Sequence, residues 1–509
     1  MIFVFILFKN SIKIISRKSA LARAQAMMVG SELEKNFPNI SIEYKTITSS
    51  GDRNMNEDLA NASEEGIFTK DISKSIEIKQ NDIAVHSWKD VPINPSKSSQ
   101  IFGTLKRGDP RDILFLKRST LKQRTKKEIT LLTSSPRRIY NGKKTLPKLL
   151  PFNKYRIKTN PIRGNIETRL EKFLNSDNDG IIIAKAAFDR MTTYSDMFNF
   201  DVSYLMDNTK WMILPLSIFP TAPGQGAIAI EAHIENTHCI QMINDINDKI
   251  GFYQVEEEKE ILNMFGGGCH QKIGVASWKR NKIDFLSYVG KTPDGKIISY
   301  FDRQKNNDIS NSEKVKSSSA FPIKLNDAIQ VERKMIKNDQ IVSSLKNSFI
   351  YLSRKNVLSE NVKLHENNIL WTSGLRCWKA MAKKGYWING SSESLGEEKN
   401  FNIQNLMEDQ IDRYKLSHKD AISNTMKIIP SYEITKIQIM EQLDDKTHFF
   451  WMSPMVFEAA IKKSPNILDG YHACGYGKTY DYIKSKIKDK SKISRYLSFD
   501  HWKEELIEN

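Results

Sequence analysis

The sequence predicts an α/β protein with two α/β lobes, a small α+β domain and a further α/β region at the C-terminus. Three observations carry this. Up to about residue 235, short apolar runs alternate with helical periodicities, as in a largely parallel sheet with helices on both faces. From about 250 to 340 a helix, VEEEKEILNMF, precedes strands joined by turns, among them Asp294-Gly295. A fresh strand, SFIYLSRKNV, then opens at Ser348. The 509 residues exceed one core and suggest roughly three to four domains.

IKIISRKS (Ile12 to Ser19) reads as a strand and a polar turn, and LARAQAMMVGSELEKNF as a helix with Leu21, Ala24, Met28 and Leu33 on one face. ISIEYKTI is a second strand, followed by a polar, glycine-punctuated loop. DIAVHSWKDVP is a buried strand running into a loop that Pro92 ends. LLTSSPRR, DGIIIAKAAFDRM and AIAIEAH share that strand-then-site character. Asn306 to Ser319 reads as a loop inside the α+β domain, and the charged tail from Lys484 as a solvated terminal helix. MIFVFILF at the start is too short to span a bilayer and lacks a basic lead and a cleavage site. An edge strand or an overextended start fits it better than a signal or anchor.

Lys plus Arg total 77 against 60 for Asp plus Glu, a formal +17 that suits anionic partners: nucleic acid, anionic lipid or small polycarboxylates. Neither a zinc-finger spacing nor an aromatic–basic ribonucleoprotein pattern is present, which leaves nucleic acid with charge alone. TAPGQGA lacks the GxGxxG spacing, and no GxxxxGK[ST] loop occurs. The four cysteines (Cys239, Cys269, Cys377, Cys474) lie far apart without CxxC, against a disulfide scaffold or a metal site and for a reducing compartment, the cytoplasm.

Arginines gather at the ends of apolar strands: Arg17, Arg111, Arg137, Arg138, Arg163, Arg169 and Arg190. In α/β sheets ligands bind beyond the strand ends, where guanidinium forks suit carboxylates. Thr133, Ser134 and Ser135 precede the arginine pair and suit an anion at a helix start. Taken singly, each arginine fits a local salt bridge equally well. Asp90, just past a buried strand and beside Lys89, is the candidate acid–base group, with a capping role as the alternative; His86 reads as structural. Cys269 in FGGGCHQ is a nucleophile, a metal ligand, a point of covalent attachment, or a buried thiol in a glycine turn.

The ordered series ISRKSALARAQ, SGDR, DIAVHSWKDVP, GDPRD, TSSPRR, IRGNIETRL, AKAAFDRM, APGQGAIAIE and GGGCHQKIG resembles porphobilinogen deaminase (hydroxymethylbilane synthase) from about residue 12 to 340. The resemblance implies two periplasmic-binding-protein-like lobes, 12–105 with 216–246 and 106–215, and an α+β cofactor domain, 247–340. It implies polymerisation of four porphobilinogens into the linear tetrapyrrole hydroxymethylbilane, with loss of ammonia, on a dipyrromethane held through Cys269. Asp90 would be the catalytic aspartate, and Lys89 would serve both catalysis and carboxylate binding. Arg17, Ser19, Arg137, Arg138, Arg163, Arg169 and Arg190 would also hold carboxylates, with Thr133, Ser134, Ser135 and Gln225 lining the cleft. One departure stands out: NASEEGIFTKD has Glu64 and Glu65 where that family usually has glycine and lysine, putting negative charge beside a site built for anions.

Residues 346–509 resemble a shortened uroporphyrinogen-III synthase through ILWTSGLRCWKAMAKKGYWINGSSESLGE, WMSPMVFEAAI and HACGYGKTYDYIK. That implies cofactor-free ring closure of hydroxymethylbilane, with Thr372, Ser373, Ser453, Lys478 and Thr479 as candidate contacts or, equally, helix caps. The expectation is a monomeric, fused two-step tetrapyrrole enzyme, transferase then lyase, with no membrane or nucleic-acid partner. The alternatives are a deaminase with an inactive C-terminal region, or an anion- or solute-binding protein without catalysis.

Overall fold

The computed structural model describes residues 11–48, 69–92, 96–123, 125–267, 271–280, 282–303, 314–359, 362–398, 400–407 and 411–508. Met1–Phe8, Glu64, Glu65 and Cys269, all singled out above, lie outside them. The chain forms two compact units, 1–147 with 154–301, and 148–153 with 302–509.

The first unit holds three sheets. One has the order β2-β1-β3-β10-β4, from β1 (Ser11–Arg17), β2 (Ser41–Ile47), β3 (Ile83–Ser87), β4 (Ser99–Gly103) and β10 (Ile228–His233). The second has the order β7-β6-β8-β5-β9, from β5 (Asp112–Lys117), β6 (Glu128–Leu132), β7 (Arg156–Asn160), β8 (Gly180–Ala184) and β9 (Thr209–Ile213). The third is β11 (Gly274–Arg280), β12 (Ile283–Lys291) and β13 (Ile297–Arg303).

The expectation of largely parallel sheets needs one amendment. β10 runs antiparallel to β3 and β4, and β5 antiparallel to β8 and β9. These are the strands on which the chain enters a sheet from the other lobe: β5 follows β4, and β10 follows β9. In both sheets the odd strand takes the fourth place in the order.

Buried apolar side chains between strands and helices make the first lobe's core: Ile12, Ile14, Ile83, Val85, Ile228 and Ile230 from the sheet, with Val29, Leu33, Met242 and Ile243 from helices. Each such burial contributes about 1.5–3 kcal/mol. The helix Ala20–Asn36 buries Ala22, Ala24, Ala26, Val29 and Leu33, while Leu21 and Met28 are half-buried. Its small residues bring the backbone close to β2; a Cβ on Gly30 would lie 2.0 Å from the Tyr44 hydroxyl.

The second unit has a six-stranded sheet, β15-β20-β19-β16-β17-β18, and a four-stranded one, β14-β21-β22-β23. Its strands are β14 (Ala320–Phe321), β15 (Ile329–Met335), β16 (Phe349–Leu352), β17 (Ile369–Thr372), β18 (Gly390–Ser391), β19 (Arg413–His418), β20 (Lys427–Ile439), β21 (His448–Trp451), β22 (Tyr471–Cys474) and β23 (Ile493–Arg495). All pairings within them are parallel except β15 with β20.

Two sequence expectations change here. The resemblance places 247–340 in the α+β cofactor domain, yet β14 pairs with β21 and β15 with β20, so the compact unit ends at 301. The tail is not a solvated helix: β23 joins a sheet, and the helix Phe499–Leu506 buries Phe499, Trp502 and Leu506 against Phe450 and Tyr496. Spacings of three and four residues put those three side chains on one face.

Candidate functional site

Strand β3 buries Ile83, Ala84 and Val85 completely or nearly so, then breaks into a single turn, Trp88–Asp90. Trp88 is buried and its N–H donates to the Ala227 carbonyl at 3.1 Å, which fixes where Lys89 and Asp90 emerge. The turn is pinned from the far side by Gly224, whose φ is +75°; a Cβ there would stand 3.1 Å from the Lys89 nitrogen. Only glycine meets both demands at low cost.

Asp90 and Lys89 sit in one electrostatic cluster with Arg138, Arg169 and, through Arg169, Arg17. Burial, reinforced by Arg138 and Arg169 and opposed by Asp90 and Asp112, pulls the half-buried Lys89 down to about 8. Burial likewise lowers Arg169 to about 10, with Arg138 and Arg17 adding to the effect and Asp90 opposing it. Lowered pKa values on neighbouring cations are what mutual repulsion in a partly dry site produces. Such a cluster gains stability when anions enter.

The arginine pair is held differently. Arg137 and Arg138 both reach Asp112, a residue the sequence reading passed over. Arg137 donates to Oδ2 at 2.8 Å and to the Pro220 carbonyl at 2.9 Å. Arg138 donates to Oδ1 at 2.7 Å, to Oδ2 at 3.2 Å and to the Ile182 carbonyl at 3.0 Å. Gln225 completes the group, giving its amide N–H to Asp112 at 2.8 Å and to the Pro110 carbonyl at 2.7 Å. Burial alone would raise the Asp112 carboxyl, but the two guanidiniums hold it well below the usual carboxylate range. Two cations on one carboxylate leave a net positive charge. For Arg137, 3% exposed, the salt-bridge alternative thus describes its surroundings better than an open ligand contact.

Other expected residues are also engaged. Arg190 is buried, lowered to about 10 chiefly by burial, and donates to the Gly226 carbonyl at 2.7 Å, so it braces the 224–226 turn. Arg111 is clamped on Asp109. Ser19 caps the helix Ala20–Asn36 by accepting from the Ala22 N–H. Thr133 is buried at the end of β6, Ser134 exchanges hydrogen bonds with Ile162, and the Ser135 hydroxyl accepts from the Arg138 N–H as the helix Pro136–Leu149 begins. Arg163 lies before the helix Ile166–Leu174, whose first turn Asn165 caps. His86 is structural, its Nε2 2.7 Å from the buried Glu231.

Glu258 is a second buried anchor absent from the sequence reading. It takes both Arg107 nitrogens at 2.8 and 2.9 Å and the N–H groups of Gly224 and Ser277 at 2.8 Å each. Arg107 also donates to the Gln225 carbonyl at 3.0 Å. The third sheet is thereby tied to the turn behind Lys89.

Cys269 is bracketed by described residues. Gly266 and Gly267 have φ of +95° and +64°, and the Gln271 amide donates to the carbonyls of Phe265 at 3.1 Å and Gly267 at 2.7 Å. Gly274 then packs so tightly that a Cβ would lie 2.9 Å from Arg137 Cδ. Cys239, Cys377 and Cys474 are buried, and burial raises the last two to about 12, which makes those two inert thiols.

In the second unit, Thr372 is fully buried and Ser373 donates to the Ser353 carbonyl at 2.9 Å. Ser453 caps the helix Pro454–Lys463 by accepting from the Val456 N–H, as the capping alternative had it. Lys478 and Thr479 open the helix Lys478–Lys486. Among the described residues Asp302, His501 and Glu505 have metal-ligand spacing. The Leu497 N–H faces His501 Nδ1, however, which leaves the proton on Nε2, directed at Asp302 and Glu505. Among the described residues no helix is long and apolar enough to cross a membrane.

The chain is similar in sequence to known proteins. The family model described as "Porphobilinogen deaminase, dipyromethane cofactor binding domain" matches residues 12–241, and the family's cofactor is attached through a cysteine. Porphobilinogen deaminase of Limosilactobacillus reuteri is 34% identical over 57% of this chain and 88% of its own length. That of Prochlorococcus marinus is 32% identical over 57% and 86%, and the probable porphobilinogen deaminase of Picrophilus torridus 36% over 56% and 92%. Among solved structures, a glycine betaine/carnitine/choline ABC transporter protein superposes with a TM-score of 0.26 and 12% identity over 51% of this chain and 93% of that one. With relatives this similar over nearly their whole length, the chain belongs to the porphobilinogen deaminase family.

Proposed function

We propose that the first unit joins four porphobilinogens into hydroxymethylbilane, with Asp90 as the proton-transfer group and Cys269 as the anchor of the dipyrromethane cofactor. The observation that carries this is one charged cluster in which Asp90 neighbours Lys89 and Arg169, Arg138 neighbours both of those cations, and Arg17 neighbours Arg169. A dipyrromethane bears four carboxylates and each added unit two more, so a site for it needs clustered cations. The residues present fit. Arg17, Lys89, Arg163 and Arg169 would meet the carboxylates, and Arg137, Arg138, Arg190 and Gln225 would position them through Asp112 and the 224–226 turn.

The bound cofactor supplies the pyrrole carbon on which the chain is started. Asp90 donates a proton to the amine leaving porphobilinogen. Its carboxylate then balances the positive charge left on the substrate and takes up the proton released when the new carbon–carbon bond forms. Each cycle breaks one C–N bond, forms one C–C bond and frees one ammonia, and the acid is regenerated. Lys89, charged below about pH 8, holds a substrate carboxylate beside Asp90. The relatives over 57% of the chain are deaminases, which favours catalysis over solute binding.

We further propose that the second unit closes hydroxymethylbilane to uroporphyrinogen III. Two mainly parallel sheets, with the half-buried Ser373 just past the end of β17, support this. With β14 and β15 included, the region is longer than the 346–509 first assigned, which weakens the case for a shortened domain. A deaminase with a non-catalytic second unit is favoured instead by Ser453 acting as a helix cap.

Intact-protein mass before and after denaturation tests the first reading. A dipyrromethane adduct that survives denaturation, maps to the Cys269 peptide and vanishes in Cys269→Ser is expected. A bare mass after reconstitution with porphobilinogen overturns it. Isomer analysis of the uroporphyrinogen made from porphobilinogen tests the second, isomer III being expected.

A further inference from the structure

Away from the arginine cluster, one carboxylate in the second unit is placed as a bound ligand would be. Glu397 follows β18 on the loop 392–398. Its Oε2 accepts from Lys415 Nζ at 2.6 Å and lies 4.0 Å from Lys478 Nζ, while Oε1 accepts from the Ser423 hydroxyl at 2.8 Å. Lys415 belongs to β19 in the six-stranded sheet and is 8% exposed. Lys478 starts the helix after β22, in the four-stranded sheet, and also donates to the Ile422 carbonyl. Cations from both sheets thus converge on one carboxylate.

The loops that carry them touch. Gly396, at φ +87°, packs so closely that a Cβ would lie 2.5 Å from the Tyr476 carbonyl oxygen. Gly475 and Gly477, on the facing loop, have open space where a Cβ would stand. His418, at the end of β19, is within electrostatic reach of both lysines, and its buried Nδ1 has no hydrogen-bond partner among the described residues. Two lysines thus face one glutamate, with His418 and its acidic neighbour Asp420 close to them.

We propose that Lys415, Ser423 and Lys478 form a carboxylate-binding subsite of the second unit, and that Glu397 is its resident, displaceable occupant. The ligand class is one carboxylate arm of a pyrrolic polycarboxylate, an identification that rests on the ring-closure reading above. The incoming carboxylate takes the lysine and serine hydrogen bonds, and the Glu397 side chain rotates out while its loop stays held by the buried Leu395 and by the Ser394 N–H on the Ser373 carbonyl. No bond is made or broken; one anion replaces another on the same cations. A self-occupied site weakens apparent affinity by the fraction of time it stands open.

The test uses the full chain and uroporphyrin III as probe, followed by fluorescence titration. Glu397→Gln keeps the size of the side chain but removes its charge and one of its two acceptor oxygens, and should tighten binding about tenfold. Adding Lys415→Met to Glu397→Gln should abolish the gain, with Lys415→Arg retaining it; thermal melting checks that each variant is folded. Unchanged or weaker binding in folded Glu397→Gln overturns the proposal and leaves Glu397 a structural ion-pair partner. If that occurs while the wild type still makes isomer III, the subsite fails and ring closure stands. If the wild type makes isomer I alone but Glu397→Gln binds more tightly, the subsite stands and ring closure fails.

Discussion

Both units bury phenylalanines, but they differ in their buried ion pairs and tryptophans. The first sinks charge into its interior: Asp112 with Arg137 and Arg138, Glu258 with Arg107, Asp109 with Arg111, and Glu231 with His86. The second sinks aromatic rings. Trp371, Trp378, Trp451 and Trp502 are each less than 2% exposed, and Trp451 alone contacts Phe321, Phe449, Phe457 and His472. Buried ion pairs contribute little net stability, because desolvation offsets their attraction. Aromatic burial contributes much. The first unit has accepted a weaker core interaction in exchange for fixed guanidiniums next to a site for anions.

Removing the proton-transfer group should give the largest effect. Asp90→Ala is expected to lower the rate of ammonia release about 10²–10⁴-fold, with melting temperature and cofactor mass unchanged. Retained turnover would end its assigned role. Next comes Asp112→Asn, which strands two buried guanidiniums and should cost about 3–5 kcal/mol in urea unfolding. The native Asp112 carboxyl lies below its unfolded value near 4, so its stabilisation is complete above about pH 4 and fades as the pH falls toward the folded value. The mutant should lack that acid limb. A variant as stable as wild type at pH 7 would show the buried charges to be dispensable, and the contrast between the units would collapse.

Lys89 offers a finer probe. Its value of about 8 places loss of charge on the alkaline limb of kcat/KM, and Lys89→Arg should carry that limb upward by more than one pH unit. A limb that stays put assigns it to another group. The smallest change concerns the second unit. If Ser453 is only a cap, Ser453→Ala should cost about 1 kcal/mol and leave the uroporphyrinogen isomer ratio as in wild type. A shifted ratio would make it a ligand contact as well.

This contrast also explains what the sequence disclosed. Asp90 was legible because a buried strand ends beside it, and Arg137 and Arg138 because they open a helix just after another strand. Asp112 was not, because GDPRD reads as an exposed turn when neither arginine partner is near in sequence. Glu258 hid among the glutamates of VEEEKEIL, where helical periodicity separates buried from exposed only if the facing residue, Arg107, is known. The boundary at 301/302 was invisible for a similar reason: Ala320 pairs with His448 and Ile329 with Ile439, and such distant pairing leaves no local signature. The terminal helix reads as solvated because its four charged residues, Asp500, Lys503, Glu504 and Glu505, outnumber the three apolar residues that decide its packing.

The strand exchange between the first unit's lobes has a consequence for biosynthesis. Strand β3 ends at Ser87, but its neighbour β10 begins only at Ile228, after every strand of the second lobe has been made. At about 5–20 residues per second, the ribosome leaves the apolar edge of β3 uncovered for roughly 7–30 s while the second lobe's sheet closes. The later-coded lobe can therefore finish first, and the earlier one must wait under a chaperone's protection or risk pairing with another nascent chain.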